Sequence, residues 1–308
     1  MHSMKREKSS KFAAWINAAR LRTLPLALSS VIMGSFLAVF SGIYSRNVIG
    51  LALLTTLILQ ILSNFANDYG DAIKGTDNEH RLGPTRMVQS GNISHEEMRK
   101  GILISIILSL ISGVLLIYVS LGDQWKTGLL FFILGLASIG AAIKYVVGTN
   151  AYGYRGWGDL FVFLFFGLTG VVGTYFLNTL GTSWSIWLPA ATLGFFSAGV
   201  LNLNNMRDID NDRNSGKKTI PVRLGSDKAY TYHMALVITG WLCAIAFTLL
   251  QTHGPWPWLY VLTLPFFMKD LIQIKKKNRL QELDPYLKKL ALSTFFFTLL
   301  FGIGLILS

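Results

Sequence analysis

The sequence predicts an all-α, polytopic membrane protein: nine transmembrane helices around a central cavity, built as two four-helix repeats plus one helix. Three observations predict it. Hydrophobic residues make up 52% of the 308 positions and charged residues only 14%, where a soluble domain carries roughly 25% charged residues. Apolar runs long enough to cross a hydrocarbon core of about 30 Å recur along the whole chain. The remaining charge is one-sided. With the N-terminus in the cytoplasm, all but Arg46 and Lys126 of the 28 basic residues fall on the cytoplasmic side, as do all but Asp123 of the 16 acidic ones. The Lys/Arg bias is what the positive-inside rule requires. That rule makes no demand on acids, so acids crowded onto the same face need a functional explanation. The net charge of +12 therefore reports topology and a charged mouth, with no nucleic-acid partner. A mean hydropathy of +0.46 excludes disorder.

Residues 1–22 are polar and basic and form a cytoplasmic N-terminal segment. The first apolar run, 23–42, is too long for the core of a cleaved signal and right for a span, so it reads as an uncleaved helix. The further spans are 48–66, 101–121, 127–147, 158–177, 185–205, 229–250, 256–273 and 289–307. Gly167, Gly170 and Gly173 in the fifth mark close helix packing. The eighth carries Pro257 and Pro265, which a span tolerates where neighbours or water satisfy the freed backbone groups. Connections such as 43–47 and 178–184 are tight. Segments 67–100 and 206–228 are long, cytoplasmic, and the expected active-site loops of a single transmembrane domain, 1–308. The lone cysteine, Cys243, excludes an intramolecular disulfide, and no two histidines have zinc-ligand spacing.

Two acidic clusters carry the chemistry. Asn64-Phe65-Ala66-Asn67-Asp68-Tyr69-Gly70-Asp71 closes the second span. Asn204-Asn205-Met206-Arg207-Asp208-Ile209-Asp210-Asn211-Asp212 closes the sixth. The Asn-x-x-x-Asp unit recurs 140 residues later, at 204 after 64, and four helices separate the copies, which implies a repeat. On a helix, residues four apart share a face, so Asn64, Asp68 and Asp71 form one stripe and Asn204, Asp208 and Asp212 another. Like charges at that spacing repel, and carboxylates at a membrane edge carry a desolvation cost. A divalent cation offsets both, and oxygen-only donors favour Mg²⁺ or Ca²⁺ over zinc. Basic residues accompany the stripes: Lys74, Arg81 and Arg86 after the first, Arg207, Arg213, Lys217, Lys218 and Arg223 around the second, Arg20 and Arg22 before the first span. Acids that bind metal and cations that grip phosphate are the two halves of a diphosphate site.

At these motifs the chain resembles the UbiA superfamily of membrane prenyltransferases. NFANDYGDAIKGTD (64–77) and NNMRDIDNDRNSGKKTIPVRLG (204–225) carry the resemblance. RLGPTRMVQSGNIS (81–94) and YGYRGWGDLFVFLFFG (152–167) point to its 1,4-dihydroxy-2-naphthoate branch. Two departures stand out: Gly75 occupies the motif's last Asp position, with Asp77 two residues on, and Asp159 stands where many branch members carry Glu. The resemblance implies Mg²⁺-dependent transfer of a polyprenyl chain from polyprenyl diphosphate to 1,4-dihydroxy-2-naphthoate, with loss of CO₂ and diphosphate to give demethylmenaquinone. It places the enzyme in the bacterial inner membrane with its active site facing the cytoplasm. In that scheme Asn64, Asp68, Asp71, Asn204, Asp208 and Asp212 hold Mg²⁺. Arg22, Lys74, Arg81, Arg86 and Lys217 neutralise the diphosphate. Tyr69, Tyr145 and Tyr154 are the candidates to face an allylic cation, and Asp159 or a tyrosine orients the acceptor hydroxyl or takes its proton. Two other acceptors, 4-hydroxybenzoate and homogentisate, fit the same scheme. A secondary transporter is the non-enzyme alternative, but its polar site would lie near the bilayer midplane, not at one edge.

Overall fold

A computed structural model describes residues 10–77, 82–277 and 280–308, and among them every regular element is helical. Eight helical stretches are long and apolar enough to cross a membrane by length and composition: Lys11–Phe40, Arg46–Ile73, His95–Leu121, Trp125–Lys144, Gly158–Thr179, Trp184–Arg207, Ser226–Gln251 and Leu280–Ile306. The first is α1 (Lys11–Ala19) and α2 (Leu24–Phe40) joined by an elbow. Then come α3 (Arg46–Ile73), α4 (His95–Leu121) and α5 (Trp125–Lys144). The fifth stretch is α6 (Gly158–Val162), a π-helical segment Phe163–Val172, and α7 (Gly173–Thr179). After α8 (Trp187–Arg207) lie two short helices, α9 (Ile209–Asn214) and α10 (Ile220–Leu224), then α11 (Ser226–Gln251). The chain ends with α12 (Leu264–Lys275) and α13 (Asp284–Ile306).

The eighth expected span, 256–273, is not one regular helix. It is a 3₁₀ segment, Trp256–Thr263, followed by α12. Pro257 and Pro265 each sit in the first turn of a piece, where a missing N–H costs nothing, so the prolines begin new segments instead of kinking one helix. At about 2.0 Å per 3₁₀ residue and 1.5 Å per α residue, the two pieces cover roughly 34 Å.

Helices of the two halves meet in the same order: α2 on α3 and α3 on α4, then the π segment on α8 and α8 on α11. The last helix, α13, packs on α2 and α8 and joins the halves. Close approach explains two of the three glycines. A Cβ on Gly167 would stand 2.7 Å from the Ala190 carbonyl of α8, and one on Gly170 2.6 Å from Ser30 Cβ of α2. Gly173 has nothing nearer than 3.9 Å and is not such a contact. An aromatic core of Phe196, Trp241, Tyr260, Phe267, Phe297 and Phe301 fills the second half. On α4 the small residues Ser105, Ser109 and Ser112 face inward, while Leu103, Ile104, Ile107 and Ile111 lie exposed. Small inside and apolar outside is the pattern of a helix packed in lipid.

Candidate active site

The first stripe is helical as expected: α3 runs on to Ile73, so Asn64, Asp68 and Asp71 share one helix face. Their side chains do three different jobs. Asn64 donates from Nδ2 to the Ala19 carbonyl at 2.8 Å and to Thr23 Oγ1 at 3.0 Å, and its Oδ1 accepts from Gln60 at 3.3 Å. It anchors the elbow where Arg20 adopts a left-handed conformation, φ 50°. Asp68, 1% exposed, accepts the amides of Met87 and Val88, both at 3.1 Å. The carboxylate thereby pins the segment before α4 onto α3. Asp71 accepts the Tyr154 hydroxyl at 2.9 Å and faces Lys217 Nζ at 3.2 Å.

The second stripe is interrupted. Helix α8 ends at Arg207 and α9 begins at Ile209, with Asp208 between them outside helical geometry (φ −98°, ψ 15°). Asn204, Asp208 and Asp212 therefore do not lie on one continuous helix. The run Asp-Ile-Asp-Asn-Asp-Arg-Asn-Ser-Gly is poor in helix formers, and its short polar side chains compete for the backbone, so the helix ends where apolar packing stops. Asp208 is held by the residue before it: Arg207 Nε and Nη2 reach its two oxygens at 3.0 and 2.6 Å. Arg207 Nη2 also donates to Asn204 Oδ1 at 3.0 Å, and Nη1 donates to Asp284. Arg22 Nη1 lies 3.6 Å from the other oxygen of Asp284.

The stripes meet at Lys217. Its Nζ lies 3.2 Å from Asp71 and 3.6 Å from Asp212, and it sits 4.7 Å from the centre of the Tyr154 ring. Lys74 Nζ lies 3.9 Å from the same ring centre. Tyr154, expected to face an allylic cation, is thus a platform for two lysines, with its hydroxyl on Asp71 and 2.5 Å from Thr76 Oγ1. Thr76 is fixed in turn from the second motif, by Asn211 Nδ2 on its carbonyl at 2.9 Å.

The electrostatics follow from this crowding. Burial pushes the Asp212 carboxyl up to about 6; Lys217 opposes this, while Asp208 and Asp71 add to it. Burial works against the charge on Lys217, but Asp71 and Asp212 more than offset it and hold its pKa above the ordinary lysine value. Lys74 moves the other way, lowered by burial and by Lys217 against the pull of Asp71. Burial and the neighbouring Asp71 raise the Tyr154 hydroxyl far above the tyrosine range.

The six-residue metal set is not preformed: among the described residues no three His, Cys, Asp or Glu side chains stand together as a metal site. The reason is that protein groups already hold the carboxylates, amides on Asp68, Arg207 on Asp208, and Lys217 between Asp71 and Asp212. The donors still fit Mg²⁺. They are all oxygen, and the mutual repulsion of Asp71, Asp208 and Asp212 is what a hard cation relieves. Of the other expected residues, Arg86 lies 3.5 Å from Asp77, and Arg81 lies outside the described residues. Tyr69 packs edge-on against His95. Tyr145 lies within electrostatic reach of Asp159, Asp71 and Asp212. Tyr145 packs edge-on against Tyr152. Asp159, buried at the start of α6, bonds to Tyr232, and its Oδ1 has no hydrogen-bond partner among the described residues.

Sequence spacing does not single out Thr76, Asn211, Tyr232 or Asp284, and it gives Arg207 only as one of several nearby cations. Arg207 had the best available signal, a cation flanked by Asn204 and Asp208 within one motif. Asp284 had none, since it lies 76 positions from Asp208, at 284 against 208. A cleft of about 440 Å³ opens beside the lysines, lined by Lys74, Tyr154, Arg155 and Lys218 among others.

Fold and site together define a class: an integral membrane protein whose charged end gathers carboxylates from two helix ends among lysines and arginines, the donor set of a metal–diphosphate centre. The UbiA prenyltransferase family matches residues 27–305, and the chain belongs to that family. It is 41% identical over 304 residues to the 1,4-dihydroxy-2-naphthoate octaprenyltransferase of Haemophilus influenzae, covering 97% of each chain. It is 39% identical over 308 residues to the Escherichia coli protein of the same name, covering 99% of each. The fold matches that of a UbiA homologue from Archaeoglobus fulgidus solved with DMAPP and Mg²⁺, with a TM-score of 0.64 at 17% identity over 93% of this chain and 98% of that one. The chain is therefore a membrane prenyltransferase, and the transporter alternative falls.

Proposed function

We propose that the protein transfers a polyprenyl group from polyprenyl diphosphate to 1,4-dihydroxy-2-naphthoate at the membrane's cytoplasmic face, releasing diphosphate and CO₂ and giving demethylmenaquinone. The observation that carries this reading is the meeting of two distant motifs on one lysine, Asp71–Lys217–Asp212. A cation held between carboxylates at a membrane edge is poised to exchange partners. When bound, Mg²⁺ supplies charge neutralisation of the leaving diphosphate. Asp71 and Asp212, with Asp68, Asp208, Asn64 and Asn204 around them, would hold it. Lys217 and Lys74, released toward the diphosphate, stabilise the charge that develops as the C–O bond breaks, and Arg22, Arg81 and Arg86 supply further positive charge at the same mouth. Tyr154 keeps both lysines in register, and Tyr145 lines the path of the allylic cation.

The acceptor ring attacks that cation at the carbon bearing its carboxylate. The new C–C bond forms, the carboxylate leaves as CO₂, and its electron pair restores the ring, so no net proton is consumed. Asp159, with Tyr232, accepts a hydrogen bond from the acceptor hydroxyl. The relatives named for the naphthoate reaction support this acceptor, the solved homologue with DMAPP and Mg²⁺ supports the donor and metal, and the basic bias of the loops at this end supports a cytoplasmic mouth in a bacterial inner membrane.

The test uses purified protein in nanodiscs with one polyprenyl diphosphate, supplied in turn with 1,4-dihydroxy-2-naphthoate, 4-hydroxybenzoate and homogentisate, with Mg²⁺ or with chelator. Mass analysis should find a decarboxylated naphthoquinol product only with the first acceptor and only with metal. A prenylated 4-hydroxybenzoate or homogentisate as main product would overturn the acceptor. Turnover in chelator would overturn the metal.

A further inference from the structure

Asp284 belongs to neither aspartate motif. It opens α13, the last helix of the chain, yet it is wired to the second motif. Arg207 is 0% exposed. Two of its nitrogens hold both oxygens of Asp208, and the third, Nη1, donates to Asp284 Oδ1. One guanidinium thus serves two carboxylates. Its single positive charge is divided between them, so Asp208 keeps part of the negative charge that an exclusive pair would cancel. Arg22 draws on the far oxygen of Asp284, but at 3.6 Å with both side chains about a third exposed that pull is screened by water. A guanidinium as buried as Arg207 cannot turn to solvent when a partner is lost. Without the charge of Asp284, Asp208 would be the one carboxylate left among its hydrogen-bond partners in the described residues, beside the neutral Asn204.

We propose that Asp284 is a positioning residue that, by sharing Arg207, leaves the group around Asp208 with net negative charge, open to the divalent cation that enters with the diphosphate. This deepens the proposed function and rests on its metal–diphosphate reading. No step of the reaction passes through Asp284 itself; it sets how strongly an aspartate of the second motif competes for the cation. Outer partners of metal ligands change metal affinity by roughly 10- to 100-fold when removed.

The experiment compares the full-length parent, Asp284→Asn and Asp284→Glu. Mn²⁺ binding is read by electron paramagnetic resonance in the presence of inorganic diphosphate, and prenyl transfer is titrated with Mg²⁺. Asp284→Asn should weaken Mn²⁺ binding and raise the half-saturating Mg²⁺ concentration by the same factor, roughly tenfold, with kcat at saturating Mg²⁺ little changed. Asp284→Glu, which retains the charge, should restore the parent values. A merely structural strut would lower thermal stability and kcat in Asp284→Asn and leave both metal readouts unmoved, and that result overturns the proposal. If Asp284→Asn does not accumulate, Asp284→Ala serves, since the site is 32% exposed and water can replace the carboxylate. A parent enzyme that neither binds nor requires a divalent cation would instead sink the metal reading, and the proposal with it.

Discussion

Replacing Lys217 with methionine removes a cation that contacts both motifs and leaves Asp71 and Asp212 facing each other. At 3.2 and 3.6 Å, each attraction is worth roughly 5 kcal/mol at an effective dielectric of about 20. Most of that is offset by the desolvation of the lysine. What the substitution costs is the uncompensated pair of buried carboxylates, about 3–5 kcal/mol for a broken buried ion pair. The lower end applies here, because the Lys217 side chain keeps 16% of its exposure and water can enter. Mg²⁺ should offset that loss. A ligand at about 100 times its Kd stabilises the native state by roughly 2.7 kcal/mol, close to the whole deficit, whereas in the parent the metal must first displace Lys217 and gains less. The assay is chemical unfolding of purified parent and Lys217→Met in detergent, each with chelator and with excess Mg²⁺. The variant should unfold at lower denaturant in chelator and recover most of the difference with Mg²⁺. Equal midpoints in chelator, or equal stabilisation of both proteins by the metal, would refute the account of Lys217 as a stand-in cation.

Tyr154→Phe keeps the ring beneath the lysines and removes the hydroxyl from Asp71. A hydrogen bond to a charged group is worth about 1.5–3 kcal/mol, so kcat/KM for prenyl transfer should fall by roughly 10- to 100-fold, while Tyr154→Leu, which also removes the lysine platform, should fall further. Asp68→Ala takes the acceptor from Met87 and Val88; hydrogen exchange should accelerate at those two amides before it does so on α4. Gly170→Leu drives a side chain into Ser30 of α2 and should destabilise by about 1–3 kcal/mol. Gly173→Ala, with its nearest neighbour at 3.9 Å and ordinary helical geometry, should unfold at or slightly above the parent's midpoint, and this pair of variants is read by the same unfolding assay.

The fold was legible because lipid imposes long apolar runs that composition alone exposes. The limits of legibility are local and physical. Residues 10–19 read as a polar tail, yet Ser10 caps a helix through Lys11–Ala19 whose inner alanines, Ala14 and Ala18, pack on Phe65 of α3. No hydropathy window of membrane length registers so short an element. The segment at 256 read as a span and proved to be two pieces, since a proline both tolerates and begins a helix. In the site, the spacing of Asn64, Asp68 and Asp71 gave the correct face, because α3 continues through the motif. The matching spacing after Asn204 failed because propensity ends the helix at Asp208. Asp284 could not be read at all: its meaning depends on a contact across the bundle, not on a neighbour in sequence.

The two motifs, alike in sequence, differ in structure. Asp68 and Asp208 occupy equivalent positions, and the residue before them is Asn67 in one copy and Arg207 in the other. Both carboxylates end up held, by different means. Asp68 takes two backbone amides from the segment before α4. Asp208 takes a guanidinium, which would cancel its charge if nothing else shared it. The second motif is thereby tied to a carboxylate that lies outside it, on α13. The helix that supplies it, α13, also closes the ring against α2. On this argument, a chain with Asn in place of Arg207 would have no use for Asp284. The double variant Arg207→Asn with Asp284→Asn should therefore show a Mg²⁺ requirement closer to the parent's than Asp284→Asn alone. A double variant at least as impaired in metal binding as Asp284→Asn would show that Arg207 is needed for more than the balance of charge at Asp208.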